Sequence, residues 1–305
     1  MSTHPAVSVI IPTFNRERSL LHAIQSIKAQ SFQDFELIVV DDGSTDDTKK
    51  MILSLGDPKI QYFFQKNQGL PTAWNQGIKR SRGKYISFLD SDDGWLQEKL
   101  KKQLSFLEVT NRKYHGCVTG YFFHALNGMK TSIIPKVKHT SLREIIWKNI
   151  LHLGTTFMCH RDVFEEIGYF DENLQRGQDS DWLIRFRKNF DIGIIPETLA
   201  VFNQHLSRSG EILEKSFLYF IEKHKTDIRQ FGNMFYRKKI ATIYRDLAFQ
   251  FLREQSLGKA REYSRKAIKT YPLLSAGLFL VLADTHLGTR LKRKADSIKY
   301  PGVFK

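Results

Sequence analysis

The chain has only two cysteines in 305 residues, Cys117 and Cys159, at no metal or redox spacing. A disulfide framework and a cysteine zinc site are thereby excluded, and a reducing compartment is the simplest reading. No run of 18 or more apolar residues occurs, so a full transmembrane helix is not expected. The stretch before Val7 lacks a basic region followed by a long apolar one, so no signal peptide is expected. The first apolar strand is not followed by Gly-x-Gly-x-x-Gly, and Gly-x4-Gly-Lys-Ser/Thr is missing throughout. With both phosphate cradles absent, a nucleotide held here would need its phosphates neutralised by a metal ion.

The composition is that of an ordinary soluble globular protein: 41% hydrophobic and 26% charged residues exclude a disordered chain. The length suits one large domain with a smaller appendage, or two domains. The net charge of +15 is unevenly placed, with +4 over residues 1–210 and +11 over residues 211–305. A basic C-terminal third points to an anionic surface or to a solvated helical face. Without basic-aromatic interleaving, nucleic acid is not the expected partner.

The stretch around which the chain is organised is Lys84 to Asp93, where an apolar strand runs into Asp90-Ser91-Asp92-Asp93. Three carboxylates in four residues repel one another, and a cation that accepts hard oxygen ligands, Mg²⁺ or Mn²⁺, would neutralise them. Val7–Ile11, Phe35–Val40 and Ile60–Phe64 read as further buried strands. Helical spacing follows each of the first two, with Ser44 or Thr45 as a helix cap, and residues 69–81 and 96–110 read as helices. Four alternations of strand and helix predict an α/β domain with a mostly parallel sheet. The polar loops at Thr13–Asn15, Asp41–Asp42 and Asp90–Asp93 would then share one crevice at the carboxyl ends of the strands, as nucleotide sites do.

Val9–Asn15, Leu37–Thr48, Asn67-Gln68-Gly69, Ala73-Trp74-Asn75 and Gly83–Asp93 together resemble the family 2 glycosyltransferases. The resemblance spans about residues 5–210 and implies the GT-A fold, a nucleotide-sugar donor, a divalent metal and transfer with inversion. It implies that Pro12, Thr13 and Asn15 flank the base and ribose, and that Asp42 accepts a hydrogen bond from the base, as a carboxylate suits uracil N3–H. The alternative for Asp42 is an acid near a helix N-terminus beside a capping Ser44. Asn67 and Asn75 match donor-lining positions, with a turn residue and a helix-surface amide as the alternatives. Asp90 and Asp92 match the family's Asp-x-Asp element, Asp92 as metal ligand and Asp90 nearer the ribose.

Farther on, Gly154–Met158 and Val163–Leu174 resemble the family's acceptor-side segment. Gly177–Trp182 matches its Glu-Asp-x-Asp/Glu motif except that Gln178 stands for the common Glu. Asp179 matches the catalytic base, which a direct inversion needs to take the acceptor proton; the plain alternative is a helix cap. His205 resembles the late histidine that joins metal or diphosphate, and Arg208 could hold a phosphate oxygen; a structural histidine and a surface arginine are the alternatives. Residues 116–145 are less readable: a strand over 116–124, a hairpin tip at Gly128 and a basic loop at Lys136–His139.

From about residue 213 the pattern becomes all-helical, and Leu257–Pro272 looks like part of a tetratricopeptide-type helix pair. The division predicted is a catalytic domain over 1–212 and a helical extension over 213–305. Leu273–Leu282 is apolar but too short to span a bilayer, and a basic run with Arg290 and Lys292 follows. It reads as an interfacial anchor or as a core helix with a solvated end.

The expectation is a metal-dependent inverting glycosyltransferase acting from a UDP-sugar on a glycan or lipid-linked acceptor. It would make cell-surface polysaccharide in the cytoplasm, peripheral to the inner membrane face. The rivals are a nucleotidyltransferase and a non-catalytic scaffold that binds protein through its helical tail.

Overall fold

The computed structural model describes residues 4–204 and 209–274. The strands are β1 (Val7–Thr13), β2 (Phe35–Asp41), β3 (Ile60–Phe64), β4 (Tyr85–Phe88), β5 (Gly94–Trp95), β6 (Gly116–His124), β7 (Lys130–Ile133), β8 (Phe157–His160) and β9 (Ile192–Asn203). Between them lie the helices α1 (Glu17–Lys28), α2 (Thr48–Ser54), α3 (Leu70–Arg80), α4 (Lys99–Val109), α5 (Leu142–Trp147), α6 (Leu153–Thr156), α7 (Val163–Ile167) and α8 (Gln178–Asn189). Four more follow: α9 (Gly210–Lys223), α10 (Lys225–Arg229), α11 (Asn233–Arg253) and α12 (Leu257–Thr270).

The strands form one sheet in the order β3-β2-β1-β4-β8-β6-β9-β5, with β7 beside β6. Strands β1 to β4 pair parallel, as the alternation predicts, because each crossover carries an amphipathic segment back across the sheet. The second half is mixed: β8 runs antiparallel to both β4 and β6, while β9 lies parallel to β6. Val9, Ile11, Leu37 and Val39 are fully buried and meet Leu20, Ile24 and Ile27 of α1 in the main core. At roughly 2 kcal/mol for each fully buried aliphatic side chain, this face fixes the register of the strands that deliver the loops.

A second, aromatic core holds α8. Trp182 is fully buried, with ring centroids 4.8 Å from Phe164 and 5.5 Å from Phe170, and its indole N–H donates to the Gly168 carbonyl at 3.1 Å. Asp181 on the same turn is fully buried against Arg185, so it anchors the helix.

Several local expectations change. Strand β1 runs on through Pro12 and Thr13, which pair with Val40 and Asp41. Ser44 does not cap α2; its hydroxyl accepts the Asn15 amide at 2.8 Å, and α2 starts only at Thr48. The basic stretch at Lys136–His139 folds into a 3₁₀ turn in which His139 Nδ1 accepts the Lys136 amide. Residues 200–203 form the end of β9.

The chain separates into two compact units. One holds the sheet and its helices. The other gathers Ile146–Lys148, Asn173–Gly177 and the helices from α9 onward. In the helical unit α11 and α12 pair through Phe251 and Tyr263, stacked at 5.9 Å, and Glu214 of α9 accepts the Lys259 ammonium at 2.7 Å. The predicted tail over 275–305 lies outside the described residues. No helix among the described residues is long and apolar enough to cross a membrane.

Candidate active site

The carboxyl ends of β1 and β2 are stitched together by their own loops. The Asp42 amide donates to the Thr13 carbonyl at 2.8 Å, and Asn15 Oδ1 accepts the Thr45 amide at 2.7 Å. Asn15 takes the left-handed conformation, φ 51°, which its short polar side chain tolerates. Asp42 itself is buried and accepts three donors: Gln65 Nε2 at 2.7 Å and the amides of Gln68 and Gly69 at 2.8 Å each. Its neighbour Asn67 is exposed and crosses close over Gly43, where a Cβ would stand 2.9 Å from the Asn67 nitrogen. Thr13, Asn15, Asp42 and Asn67 thus form one connected cluster. The buried Thr13 hydroxyl has no hydrogen-bond partner.

Asn75 stands apart. It is buried, its Oδ1 accepts the Phe170 amide at 2.9 Å, and its Nδ2 donates to the Phe170 carbonyl and to Glu172 Oε1, both at 2.9 Å. With every donor engaged, it clamps the segment after α7 to α3. These bonds hold Asn75 between α3 and the segment after α7.

The three acids after β4 divide their work. Asp93 is buried and structural: its Oδ1 accepts the Asn203 amide at 2.8 Å and its Oδ2 accepts the Thr155 hydroxyl. Asp90 lies against the Cα of Gly154, where a Cβ would meet its carboxylate oxygens at 2.6 and 2.7 Å. Asp92 faces a cation: Arg16 Nη1 is 3.3 Å from its Oδ2, and the Asp92 side chain is 14% exposed. Arg16 follows Asn15, so this ion pair joins the acids to the first cluster.

Asp179 is the second residue of α8 and is buried. Its Oδ1 accepts the Ser180 amide at 2.8 Å, and its Oδ2 accepts Asn149 Nδ2 at 3.3 Å. Asn149 is held in turn by its Oδ1, which accepts the Leu151 amide at 3.0 Å. The short stretch 149–155 therefore touches both acid groups, Asp179 through Asn149 and the Asp90–Asp93 turn through Gly154 and Thr155. Trp95 steadies it by donating its indole N–H to the Thr155 carbonyl at 2.8 Å.

Among the described residues no group of three or more His, Cys, Asp or Glu could hold a metal alone. Two carboxylates are enough for Mg²⁺ or Mn²⁺ when substrate phosphates complete the shell. The Arg16 guanidinium against Asp92 shows that this position draws positive charge, as a cation-binding carboxylate must. His205 and Arg208 lie outside the described residues.

Arg16, Asn149, Thr155 and Asn203 take part without having been singled out from the sequence as site residues. Their signal was weak: each is a common surface or turn residue whose part depends on a tertiary partner.

Residues 8–168 match the family described as glycosyl transferase family 2. The chain belongs to that family. It is 45% identical over 261 residues to the GalNAc(5)-diNAcBac-PP-undecaprenol beta-1,3-glucosyltransferase of Campylobacter jejuni, covering 80% of this chain and 82% of that one. It is also 36% identical over 205 residues to an uncharacterized glycosyltransferase of Rickettsia bellii, but the match spans only 28% of that protein's length. Among solved structures, S. aureus TarS in complex with UDP-GlcNAc superposes with a TM-score of 0.58 at 18% identity, over 88% of this chain and 91% of that one. The mannosyltransferase PcManGT of Pyrobaculum calidifontis, in complex with GDP-Man and Mn²⁺, gives 0.58 at 15% identity, over 98% and 87%. At such identities the likeness establishes the fold, a GT-A sheet with helices after it.

Proposed function

We propose that this family 2 glycosyltransferase is an inverting, metal-dependent enzyme that moves a sugar from a UDP-sugar to a glycan or lipid-linked acceptor in polysaccharide biosynthesis. The observation that carries the reading is the 149–155 stretch, which touches Asp179 through Asn149 and the Asp90–Asp93 turn through Gly154 and Thr155, so that one frame bears both acid groups. Support for the donor and acceptor classes comes from the UDP-GlcNAc in TarS and the polyprenol-linked name of the Campylobacter relative.

In this reading the acceptor oxygen attacks C1 as its proton passes to Asp179, and the C1–O bond to the diphosphate breaks on the opposite face. One displacement inverts C1 and needs no covalent intermediate. Asp90 and Asp92 would hold the cation, which supplies countercharge for the departing diphosphate. Asp42 would read the base through the lone-pair capacity that its three donors leave. Thr13, with its buried unpartnered hydroxyl, and Asn15 and Asn67 would border the nucleoside. The domain division at about residue 212, and the basic tail against an anionic cytoplasmic membrane face, belong to the same proposal.

The test is turnover with UDP-hexoses and lipid-linked oligosaccharide acceptors, reading the anomeric configuration of the product. An inverted product lost in Asp179→Asn supports the proposal; a product of retained configuration contradicts it.

A further inference from the structure

The crevice occupies one edge of the sheet; a cavity of about 490 Å³ lies at the other. Its walls come from the entry to β1, the residue before β2, the turn before β4, the loop before β6 and the turn after β8, including Ala6, Asp34, Lys84, Arg112 and Arg161. From Lys84 to Asp90 along β4 is six residues, roughly 20 Å at ~3.3 Å per residue. Open α/β sheets place their substrate loops at the carboxyl ends of parallel strands, so the family's chemistry gives this edge no ligand.

We propose that the cavity is a second ligand site, for a phosphate-bearing anion. Charge is the first argument. Four cations line it, Arg82, Lys84, Arg112 and Arg161, against the acids Asp34 and Asp162. Arg82 pairs with Glu36 at 2.9 Å and Arg112 with Asp162 at 2.6 Å. Lys84 and Arg161 have no carboxylate partner among the described residues: Lys84 lies over the Tyr85 ring, and Arg161 reaches only the Ser81 carbonyl, at 3.4 Å. Two uncompensated cations at one rim suit a doubly charged group, and a guanidinium offers it paired donors.

The second argument is independent of charge. His160 lines the cavity, is 3% exposed, and neither ring nitrogen has a hydrogen-bond partner. Asp162 Oδ1 is likewise buried without a partner. A buried polar atom left unmade costs about 1–3 kcal/mol, and native proteins keep few of them without a reason. A phosphate oxygen would take the imidazole N–H, and a hydroxyl on the same ligand would donate to Asp162. A phosphate monoester or diester on a polyol supplies both. A volume near 490 Å³ is larger than bare phosphate needs and leaves room for such a group.

His160 reports occupancy. Burial first, then the Arg112 charge, with lesser contributions from His115 and Lys84, push its pKa down to about 4 against the opposing pull of Asp162. The Tyr85 ring packs 4.7 Å from it and His115 6.1 Å away. An anion in the cavity favours the imidazolium and raises the midpoint by about one unit or more.

The experiment is histidine-resolved NMR of the full chain titrated with inorganic phosphate at physiological salt, beside the double variant Lys84→Ala/Arg161→Ala. Both substitutions are at exposed residues, so the fold is retained. A saturable His160 shift with a raised midpoint, weakened at least tenfold in the double variant, supports the site. No saturable response in the millimolar range, or an equal response in the variant, overturns it. Flotation with phosphatidylglycerol vesicles then separates the sources: weaker flotation of the variant assigns a lipid headgroup, and equal flotation a soluble phosphate ester. Sugar transfer stays unchanged throughout, which keeps this outcome separate from that of the proposed reaction.

Discussion

Asn203 holds the acidic turn twice: its backbone amide donates to Asp93 Oδ1 at 2.8 Å, and its side-chain amide donates to the Asp92 carbonyl at 2.6 Å. The end of β9 is thereby tied to the end of β4 across the strands that separate them in the sheet. Of the three acids in this turn, Asp93 carries the brace through its side chain, whereas Asp92 meets Arg16 and Asp90 lies against Gly154.

Replacing the two kinds of acid should therefore give opposite phenotypes. Asp93→Ala leaves the Asn203 amide and the Thr155 hydroxyl unpaired in a buried place and should cost about 2–4 kcal/mol. Asp92→Ala should change stability by less than about 1 kcal/mol, since it removes a partly exposed ion pair, while abolishing metal-dependent nucleotide binding. Thermal unfolding and calorimetry on the two variants check this; equal destabilisation by both would contradict the division.

Gly154→Ala tests the contact that seats Asp90. The new methyl would stand inside the van der Waals radius of both carboxylate oxygens, so the carboxylate must turn aside. Turnover should fall by about tenfold to a hundredfold, as a misplacement of about 1 Å can cost that much. Circular dichroism should remain that of the native protein.

Asn149→Ala and Asp179→Asn separate positioning from chemistry. Loss of the base should abolish transfer and spare donor binding. Loss of Asn149 removes one hydrogen bond to Asp179 Oδ2 and should lower kcat with little change in donor KM. The acid-side limb of the pH–rate profile should move as well; a variant with an unmoved profile and full kcat would show Asn149 to be structural only.

Lys99 gives a pH signature. It is fully buried, 3.9 Å over the Trp95 ring, with its ammonium on Gln103 Oε1 at 2.6 Å, and burial pushes its pKa down to about 7. Below pH 7 both folded and unfolded chains hold the proton, and the full cost of burying the charge applies. Between about 7 and the unfolded value near 10.4 only the unfolded chain holds it, so stability rises with pH across that window. Lys99→Met should remove about one proton from that slope in denaturant unfolding measured from pH 6 to 10.

Much of this was legible from residues alone. The parallel half of the sheet follows from four apolar runs with helical spacing between them, and β3 and β6 fall at the residues read from the pattern. The antiparallel β8 was not legible, because Phe157–His160 is four residues long and carries no periodicity. The bond partner of Asn75 was hidden for a related reason: Phe170, which pairs with its side-chain amide, lies 95 residues on in the chain. Ser44 looked like a cap, yet its partner proved to be the Asn15 amide from the neighbouring strand's loop. Motif residues could be found by spacing; the residues that hold them, Asn149, Thr155 and Asn203, are defined only by tertiary contacts.

In the proposed enzyme one crevice binds a uridine nucleotide through Asp42 and a divalent ion through Asp90 and Asp92. The most direct test is calorimetric titration of UDP, GDP and CDP into the full chain, each with and without Mn²⁺. The account predicts tightest binding for UDP, a strong requirement for Mn²⁺, and loss of both in Asp92→Ala. Binding of no nucleotide by the folded protein, or equal binding of all three without metal, would contradict it.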